Sequence, residues 1–347
     1  MSGRDFLAME EWSADEIDHL LGLAARCKRG DVAAGLVKKV LAMVFMDPSL
    51  RTRASMETAM FLHGGHALCL EPGKGSWTLE TDLDAVMDGT TVEHIIEAAR
   101  VLSRYADVLA VRSFPKGTRW DVEREDRTIR HFATYSSKPV INLESSRRHP
   151  CQGLADAFTI REKLGETAGK RFVLMWAWHP KALPTAVPAS AAIAAAHLGM
   201  NVTIVRPAGY DLDPDDYGAI GTLAGSRGGS LDVTDDLDRA IDGADVVYPK
   251  SWGSLQHFGA PDQEHVLREG KRDWRLTADR MRRTAGGKGI AMHCLPVRRN
   301  VEIDGAVLDG PQSAVIDEAE NRLHVQRALL LDLLGGPDYT YRAGMAA

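Results

Sequence analysis

A chain of 347 residues is too long for one small core, and its length predicts about two α/β domains. The formal net charge of −6 argues against a nucleic-acid binder that works through a broad basic surface, and no apolar run approaches membrane-spanning length. The four scattered cysteines form no CxxC pair, and the N-terminus lacks the basic and apolar regions of a signal peptide. The composition therefore predicts a cytoplasmic protein with reduced thiols.

Strand-like and helix-like segments alternate along the chain, which is typical of parallel sheets covered by helices. Apolar runs predict buried strands at residues 40–46, 67–70, 107–111, 139–143, 172–176, 202–205, 245–248 and 290–293. Helices are predicted after Arg53, at 93–105, 149–164 and 187–198, and from about Glu318. We predict two doubly wound α/β domains, 1–150 and 151–320, with an active-site cleft between them, and a C-terminal helical segment, 321–347, that returns to the first domain.

The stretch Ser49-Leu50-Arg51-Thr52-Arg53 begins the first predicted helix, directly after the first strand. Asp47-Pro48-Ser49 supplies turn and N-cap chemistry. A helix N-terminus presents unpaired backbone N–H groups and a partial positive charge, so the added hydroxyl and guanidinium groups predict a pocket for a phosphate-sized anion. The alternative is an ordinary capped helix whose arginines lie in solvent.

Polar residues recur where the predicted strands end. They are Ser49, Arg112, Glu144, His179, Lys250 and Cys294. Ligands of open parallel sheets bind outside the carboxyl ends of the strands, so this recurrence predicts one ligand site. For Glu144 and Lys250 the alternative is a solvated charge at the surface.

His149-Pro150-Cys151-Gln152 has a proline at a predicted helix start and polar side chains on either side of it. The pattern aims the His149 imidazole and the Gln152 amide at one point, where such donors can polarise a carbonyl and stabilise an oxyanion. Two alternatives remain open: structural capping of the helix, and a metal site that pairs His149 with Cys151. No second closely spaced ligand pair supports the metal site, and we expect no metal.

His293-Cys294-Leu295-Pro296 places a thiol at the end of the last strand, with two arginines shortly after it. Cys294 is either a nucleophile, which needs a dedicated base, or a residue that lines the site, and we favour the lining role. Arg298 is the better candidate for binding a substrate carboxylate through two hydrogen bonds.

Trp77 lies in a Gly-rich loop with little local core, so it either packs internally or anchors against a neighbouring subunit. The first strand is not followed by GxGxxG, and the chain has no GxxxxGK motif of P-loop proteins. Neither a dinucleotide nor a P-loop nucleotide is therefore expected, and we expect no cofactor.

Taken in order, these motifs resemble those of the carbamoyltransferases, the aspartate and ornithine transcarbamylase family, over nearly the whole chain. Residues 49–53 are similar to the family's S-T-R-T-R carbamoyl-phosphate motif, with Leu50 where the common motif has threonine. Residues 149–152 resemble its H-P-x-Q motif, and residues 293–296 resemble the H-C-L-P of the ornithine branch.

A second departure concerns the acceptor. Ornithine enzymes carry D-x-x-x-S-M-G, which binds the α-ammonium and carboxylate of ornithine, whereas this chain has Lys250 within residues 248–253 of that region. A lysine there repels an α-ammonium but tolerates an acylated amine. The chain is thus similar to the N-acylornithine transcarbamylases of arginine biosynthesis, and the resemblance implies a substrate set of Trp77, Glu144, His179, Lys250 and Arg298.

Val92 bears on which acyl group the acceptor carries. In the family, N-acetyl enzymes carry glutamate where Val92 stands, and N-succinyl enzymes carry proline. A glutamate repels the succinyl carboxylate and a neutral residue admits it, so Val92 favours N-succinylornithine. Lys181 and residues 323–326 are more similar to the N-acetyl branch, which leaves N-acetylornithine as the alternative. Glu302 is a third departure, because an acetyl-type enzyme can have lysine there.

The resemblance further implies a homotrimer, with Trp77 reaching into a neighbouring subunit, and direct carbamoyl transfer without metal or cofactor. Arg112, His149 and Gln152 would polarise the carbonyl of carbamoyl phosphate, the δ-amine would attack it, and phosphate would leave. The implied catalytic residues are His149, Gln152, Arg112 and Cys294. The remaining alternatives are an ornithine carbamoyltransferase and a non-catalytic phosphate- or amino-acid-binding protein of the same fold.

The implied binding residues fall into two sets. The carbamoyl-phosphate set is Ser49, Leu50, Arg51, Thr52, Trp77, Arg112, His149, Gln152, Cys294, Leu295 and Arg322. The acylornithine set is Val92, Glu144, His179, Lys250, Leu295 and Arg298.

Overall fold

The computed structural model describes residues 4–341. Residues 1–3 of the first predicted domain and residues 342–347 of the predicted C-terminal segment lie outside the described residues. The strands are β1 (Val40–Phe45), β2 (His66–Leu70), β3 (Leu79–Glu80), β4 (Glu93–His94), β5 (Val108–Arg112), β6 (Val140–Glu144), β7 (Arg171–Trp176), β8 (Asn201–Val205), β9 (Ser230–Thr234), β10 (Val246–Lys250) and β11 (Ile290–Ala291).

The α-helices alternate with these strands for most of the chain, as predicted. They are α1 (Ala14–Arg29), α2 (Leu50–Leu62), α3 (Ile95–Tyr105), α4 (Trp120–Glu123), α5 (Arg127–Tyr135), α6 (Pro150–Leu164), α7 (Ala186–His197), α8 (Pro214–Ser226), α9 (Leu237–Ile241), α10 (Pro261–Glu269), α11 (Ala278–Arg282), α12 (Gly305–Leu308) and α13 (Val315–Leu334). Within residues 4–341, none of the helices is long and apolar enough to cross a membrane.

The chain divides into two compact units. Of the described residues, the first unit contains 4–115, Glu125–Cys151 and 322–341. The second unit contains Lys116–Arg124 and Gln152–Asn321.

The short segment 116–124 joins the second unit, although the predicted boundary at residue 150 placed it in the first domain. Its attachment is polar: Trp120 Nε1 and Arg124 Nη2 both donate to the carboxylate of Asp213, at 2.6 and 2.8 Å. These partners lie far apart in the sequence, so no local pattern indicates the contact.

The first unit is built on a four-stranded parallel sheet in the order β2-β1-β5-β6. The strands β1, β5 and β6 are almost entirely buried, as expected for strands of a parallel sheet. The register pairs Phe45 with Arg112, and Arg112 with Glu144. The three strands therefore end side by side, and the residues that follow them meet at one edge of the sheet.

The second unit is built on a five-stranded parallel sheet in the order β11-β10-β7-β8-β9. The register pairs Trp176 with Lys250 and Val247 with Ala291, so β7, β10 and β11 also end at one edge. Apolar side chains of β7, β10 and α9 form part of its core. Both sheets agree with the prediction of two α/β domains with parallel sheets.

The last predicted strand is shorter than expected, because β11 ends at Ala291 and not at His293. Beyond Ala291 the backbone no longer pairs with β10 as a strand, and the His293 N–H donates instead to Glu318 Oε2 at 2.8 Å. The final helix also begins earlier than predicted, at Val315.

Candidate active site

The first unit carries a cluster of cationic and hydroxyl groups at the end of its sheet, which we call the anion cluster. It consists of Ser49, Arg51, Thr52, Arg112, His149 and Arg322, with Glu144 beside them. Ser49 is the N-cap of α2, where its Oγ accepts a hydrogen bond from the Thr52 N–H at 3.3 Å. Its own hydroxyl hydrogen therefore remains a donor for a ligand.

Arg53 does not join the anion cluster, contrary to the prediction from the sequence. Its exposed guanidinium donates to Glu57 at 2.9 Å, one turn further along α2. Arg51, two residues earlier, is only half-exposed. Positions two apart on a helix point in nearly opposite directions, so only one of the two arginines can face the sheet edge. Leu50 is exposed, so it can contribute to an anion site only through its backbone.

Arg322 connects α13 to the start of α2 and to the imidazole of His149. Its Nη2 donates to Thr52 Oγ1 at 3.0 Å, and its Nη1 lies 3.5 Å from His149 Nε2. All three side chains are buried. A guanidinium held in this way is pre-organised for binding an anion at the helix N-terminus.

Arg112 and Glu144 form a buried ion pair across the ends of β5 and β6. Glu144 is 8% exposed, so the alternative of a solvated charge is wrong for this residue. The same carboxylate oxygen lies 3.3 Å from His149 Nε2. The Nε of Arg112 is buried and has no hydrogen-bond partner within residues 4–341, which indicates a donor that a ligand can satisfy.

The electrostatics of the anion cluster favour a neutral His149. Burial, followed by the charges of Arg322, Arg112 and Arg51, lowers the pKa of His149 well below its usual value. Three guanidinium groups against the single carboxylate of Glu144 leave an excess of positive charge. The cluster therefore suits a phosphate-like anion, with a neutral imidazole beside it.

Cys151 is fully buried and is engaged by the backbone of β6. Its Sγ donates to the carbonyl oxygen of Asn142 at 3.8 Å. Burial raises the pKa of the thiol to about 12.

Gln152, at the start of the second unit, has two carboxylate partners that the sequence did not indicate. Its Nε2 donates to Asp156 Oδ1 at 2.8 Å and to Glu318 Oε1 at 2.9 Å. An amide nitrogen has two hydrogens, and in the structure each is donated to a carboxylate, while the contact of Gln152 with a substrate carbonyl stays a prediction.

His179 holds the guanidinium of Arg298. Arg298 Nε donates to His179 Nε2 at 2.9 Å, and His179 Nδ1 lies 3.0 Å from the carbonyl oxygen of Lys181. Burial lowers the pKa of His179, which keeps the ring neutral and its Nε2 an acceptor. The two terminal nitrogens of Arg298 make no hydrogen bond within the described part of the chain, so they are available to a carboxylate.

Lys250 is also buried, at 7% exposure, so the solvated alternative is wrong for it as well. The positive charge of Lys250 stabilises the ionised carboxylate of Glu302. Glu302 Oε2 accepts a hydrogen bond from the Arg298 backbone N–H at 2.9 Å, and Glu302 Oε1 lies 3.6 Å from His293 Nε2. Burial alone would raise the pKa of Glu302, but the neighbouring His293 imidazole and the charge of Lys250 lower it to about 2. Glu302 therefore carries its charge at any ordinary pH.

One buried guanidinium fixes the loop of His179 to the strand end of Lys250. Arg268 on α10 donates through Nη1 to the His179 carbonyl oxygen at 3.3 Å and to Ser251 Oγ at 3.1 Å. Its Nη2 donates to the Trp252 carbonyl oxygen at 3.2 Å, and its Nε to Glu264 at 3.0 Å. Trp252 itself is fully buried and belongs to the interior of the unit.

The predicted site residues thus fall into two groups, one in each unit. The first unit holds Ser49, Leu50, Arg51, Thr52, Trp77, Val92, Arg112, Glu144, His149 and Arg322. The second unit holds Gln152, His179, Lys250, Cys294, Leu295 and Arg298. Glu144 was predicted among the acceptor residues, but its contacts are with Arg112 and His149.

Trp77 and Val92 lie on the surface of the first unit, with 63% and 61% of their areas exposed. Trp77 lines an apolar cavity of about 260 Å³ together with Val44, Leu70 and Leu102. Both internal packing and a subunit contact remain compatible with this position. In the second unit, Leu295 donates its N–H to His293 Nδ1 at 2.9 Å, and Cys294 is half-buried.

The sequence assigned no site role to three acidic residues that the structure places beside predicted site residues, although Glu302 had been noted as a departure from the acetyl-type enzymes. They are Asp156, Glu302 and Glu318. The position of Asp156, four residues after Gln152, puts both on one face of α6, which is a signal that was available. Glu318 lies 166 positions from Gln152, and no local signal indicates that contact.

Family models match both units of the chain. The model described as aspartate/ornithine carbamoyltransferase, carbamoyl-P binding domain, matches residues 4–162, and the Asp/Orn binding domain of the same family matches residues 182–333. The chain is 46% identical over 338 residues to an N-acetylornithine carbamoyltransferase of Xanthomonas campestris pv. campestris, with 96% of this chain and 99% of that protein covered. It is 35% identical over 298 residues to an N-succinylornithine carbamoyltransferase of Bacteroides thetaiotaomicron, with 86% and 88% covered.

Solved structures of N-acetylornithine transcarbamylases are also similar to this chain. A crystal structure of acetylornithine transcarbamylase complexed with acetylcitrulline matches with a TM-score of 0.93 and 46% identity, covering 96% of this chain and 100% of that one. A glutamate-to-valine mutant of N-acetyl-L-ornithine transcarbamylase, complexed with carbamyl phosphate and N-succinyl-L-norvaline, matches with a TM-score of 0.92 and 46% identity, covering 95% and 99%.

Proposed function

This chain belongs to the aspartate/ornithine carbamoyltransferase family and is a carbamoyltransferase, and we propose that its acceptor is an N-acylornithine. The observation that carries this proposal is the buried Lys250, in the region where ornithine enzymes bind an α-ammonium. Two like unit charges 4 Å apart repel by about 4 kcal/mol at an effective dielectric constant of about 20, so free ornithine is disfavoured there. An acylated amine is neutral and avoids this repulsion.

Carbamoyl phosphate is the proposed donor, bound by the anion cluster. Ser49, Arg51, Thr52 and Arg112 hold its phosphate, and the unsatisfied Nε of Arg112 supplies one of the donors. The neutral His149 then lies beside the carbonyl that is attacked, where an N–H can stabilise the developing oxyanion.

The transfer itself needs only positioning and charge stabilisation. The neutral δ-amine attacks the carbonyl carbon, a tetrahedral intermediate forms, and the C–O bond to phosphate breaks. The proton that the amine loses leaves with the phosphate. The family resemblance adds Gln152 to the residues that would contact the carbamoyl group of carbamoyl phosphate.

Among the N-acylornithines, we favour N-succinylornithine. Val92 is neutral and exposed, so a succinyl carboxylate meets no charge of the same sign at this position. Valine also replaces glutamate in the relative crystallised with N-succinyl-L-norvaline. N-acetylornithine is the second candidate, and the 46% identity to an N-acetylornithine enzyme favours it.

The assembly that accompanies this function is a homotrimer with Trp77 at the subunit interface. A large aromatic side chain that is 63% exposed supports a contact with another chain. The cytoplasmic location stays a prediction from the sequence.

An acceptor panel tests the proposed function. Carbamoyl phosphate is combined with N-succinylornithine, N-acetylornithine, ornithine or aspartate, and both phosphate release and the carbamoylated product are measured. We expect kcat/KM for N-succinylornithine to be the highest, and at least about 100-fold above that for the free amino acids. Preferential turnover of ornithine would overturn the N-acylornithine assignment, and preference for N-acetylornithine would overturn the succinyl assignment alone.

A further inference from the structure

The connection between β6 and α6 is buried, although it contains no helix or strand. It runs from Ser145 to Arg148 and joins Glu144, the last residue of β6, to His149, which precedes α6. Ser145, Ser146 and Arg148 are each 7% exposed or less. Buried backbone N–H and C=O groups need hydrogen-bond partners, so other parts of the protein must hold this connection in place.

The carboxylate of Asp126 makes three hydrogen bonds to the connection. Asp126 Oδ2 accepts from the Ser145 hydroxyl at 2.6 Å. Its Oδ1 accepts from the backbone N–H groups of Ser146 and Arg147, at 2.9 and 3.3 Å. All of these residues belong to the first unit. One carboxylate therefore binds three consecutive residues of the connection.

Asp126 does not have the local role that its position favours. It is the N-cap of α5, where an aspartate side chain usually accepts from an N–H of the first helical turn. Here the side chain makes no such bond, and the backbone is left-handed, with a φ of 52°. Aspartate tolerates this conformation better than most residues do. The carboxylate thus serves the connection and not its own helix.

The bond to Asp126 also sets the direction of the Ser145 hydroxyl. A hydroxyl donates one hydrogen bond and accepts two. With its hydrogen on Asp126, Ser145 Oγ accepts from the Arg148 N–H at 3.1 Å and from Asn142 Nδ2 at 3.0 Å. The other acceptor within reach of the hydroxyl is the Arg148 carbonyl oxygen, at 3.2 Å. Loss of Asp126 would let the hydroxyl turn toward that oxygen.

We infer that Asp126 is a positioning residue for His149 and acts through the connection that it holds. His149 directly follows the connection, and its Nε2 lies 3.3 Å from Oε2 of Glu144, which directly precedes it. If the connection shifts, the imidazole shifts relative to the carbonyl that it must reach. Such a displacement lowers the rate more than it lowers binding. The action of His149 on a carbonyl rests on the proposed function.

Three variants and a control test this role. Asp126→Gly removes the carboxylate but adopts the left-handed backbone without strain. Asp126→Asn keeps an acceptor oxygen and also tolerates that backbone. Ser145→Ala removes the hydroxyl that links Asp126 to the Arg148 N–H. Asp236→Gly is the matched control, because Asp236 is the N-cap of α9 in the second unit and accepts from the Arg239 N–H at 3.1 Å.

The first measurement is steady-state kinetics with the acceptor that the wild type turns over fastest. We expect Asp126→Gly to lower kcat about tenfold. The KM for carbamoyl phosphate should change less than about threefold, because the proposed phosphate residues at the start of α2 are not part of the connection. Asp126→Asn should restore kcat to within about threefold of the wild type, and Asp236→Gly should stay within about twofold.

The Ser145 variant tests whether the effect passes through the hydroxyl. Ser145→Ala should also lower kcat. In the double variant with Asp126→Gly, the loss should be smaller than the product of the two single losses, because both changes remove the same hydrogen bond.

The second measurement is an NMR spectrum of the protein without any ligand. The histidines carry carbon-13 at Cε1, and the His149 resonance is identified by its absence in His149→Asn. We expect this resonance to shift in Asp126→Gly and to return toward its wild-type position in Asp126→Asn. The resonance of His63, another buried histidine of the first unit, should stay in place.

A folded Asp126→Gly that keeps the wild-type kcat, or whose His149 resonance is unmoved, would overturn the positioning role. An equal loss of kcat in Asp236→Gly would overturn it too, since the effect would not be specific to Asp126. If Asp126→Gly does not fold, Ser145→Ala gives the same two comparisons. A wild type that carbamoylates none of the acceptors would argue against the proposed function itself, whereas the His149 resonance would still report on the connection.

Discussion

Arg112 and Glu144 end neighbouring strands of the first sheet and form an ion pair that is buried on both sides. The parallel register places them next to each other, although they are 32 positions apart in the sequence. Glu144 thereby fixes the guanidinium from one end, and the Arg112 Nε is left for a ligand.

Truncation of Glu144 should cost stability as well as activity. Glu144→Ala leaves a buried guanidinium without its carboxylate, and breaking such a pair costs about 3 kcal/mol or more. Chemical denaturation measures this loss, and Glu125→Ala, which removes an exposed partner of Arg127 at 2.6 Å, is the control. Equal stabilities of the two variants would contradict the importance of the buried pair.

Arg51 and Arg53 provide a matched test of the anion cluster. Arg51→Ala should raise the KM for carbamoyl phosphate at least about tenfold, because a charge-assisted contact to the phosphate is lost. Arg53→Ala should change it less than about twofold, since Arg53 pairs with Glu57 in solvent. Steady-state kinetics at saturating acceptor measures both. Near-normal affinity for carbamoyl phosphate in Arg51→Ala would remove this residue from the site.

His149 should make the folded protein sensitive to acid. Its pKa is lowered in the folded state, so below about pH 6.5 the unfolded chain binds a proton that the folded state does not. Stability that is fully present above this pH is then lost as pH falls, by up to about 1.4 kcal/mol per pH unit from this group.

The measurement compares slopes and not absolute stabilities. The free energy of unfolding is followed from pH 7 to pH 5 in the wild type, in His149→Asn and in His265→Asn, the last of which changes an exposed residue. His63 and His179 also have lowered pKa values and contribute equally to all three proteins. Only His149→Asn should have a shallower slope, and a slope equal to that of the wild type would show that His149 is not held neutral.

Glu302 should affect the acceptor and not the donor. Glu302→Gln removes the charge opposite Lys250 and His293 and weakens the contact that holds the Arg298 backbone. We expect the KM for the acylornithine to rise about tenfold and the KM for carbamoyl phosphate to stay within about twofold. Because the pKa of Glu302 is about 2, this difference should be the same at pH 6 and at pH 8. A change confined to the carbamoyl-phosphate KM would contradict the grouping of residues.

Val92 should set the choice of acyl group. Val92→Glu introduces a carboxylate that repels the succinyl carboxylate, so kcat/KM for N-succinylornithine should fall at least about tenfold relative to N-acetylornithine. Val86→Glu adds the same charge at another exposed position and serves as the control. If both variants keep the wild-type ratio of the two substrates, Val92 does not determine the acyl group.

The sequence predicts most strands of the two sheets because parallel strands that are buried on both faces read as continuous apolar runs. The edge strand β9 is largely exposed, has no such run and was not predicted. The sequence also predicts that Arg112, His179 and Lys250 lie at strand ends. Arg112 and Lys250 are the last residues of β5 and β10, and His179 comes shortly after β7. These local patterns are enough to predict the fold class and most of the candidate site residues.

What the sequence misses is pairing between distant residues. The contact of Glu144 with Arg112 depends on strand register, and the engagement of Gln152 depends on Glu318 from the last helix. The carboxylate partners of the Gln152 amide nitrogen are not predicted for that reason. Arg53 is different: helical periodicity alone indicates that it faces away from Arg51, so that error was avoidable.

Arg268 has a consequence for how this site can change during evolution. A planar guanidinium reaches the carbonyl oxygens of His179 and Trp252 at once, and a lysine ammonium has no such fork. Loss of Arg268 would remove the hydrogen bonds that hold two backbone segments. We therefore expect substitutions of Arg268 to reduce the amount of folded protein in the cell and not to change which acceptor the enzyme prefers. New acceptor preferences would then arise at Val92, on the surface, where a substitution leaves the framework of the second unit intact.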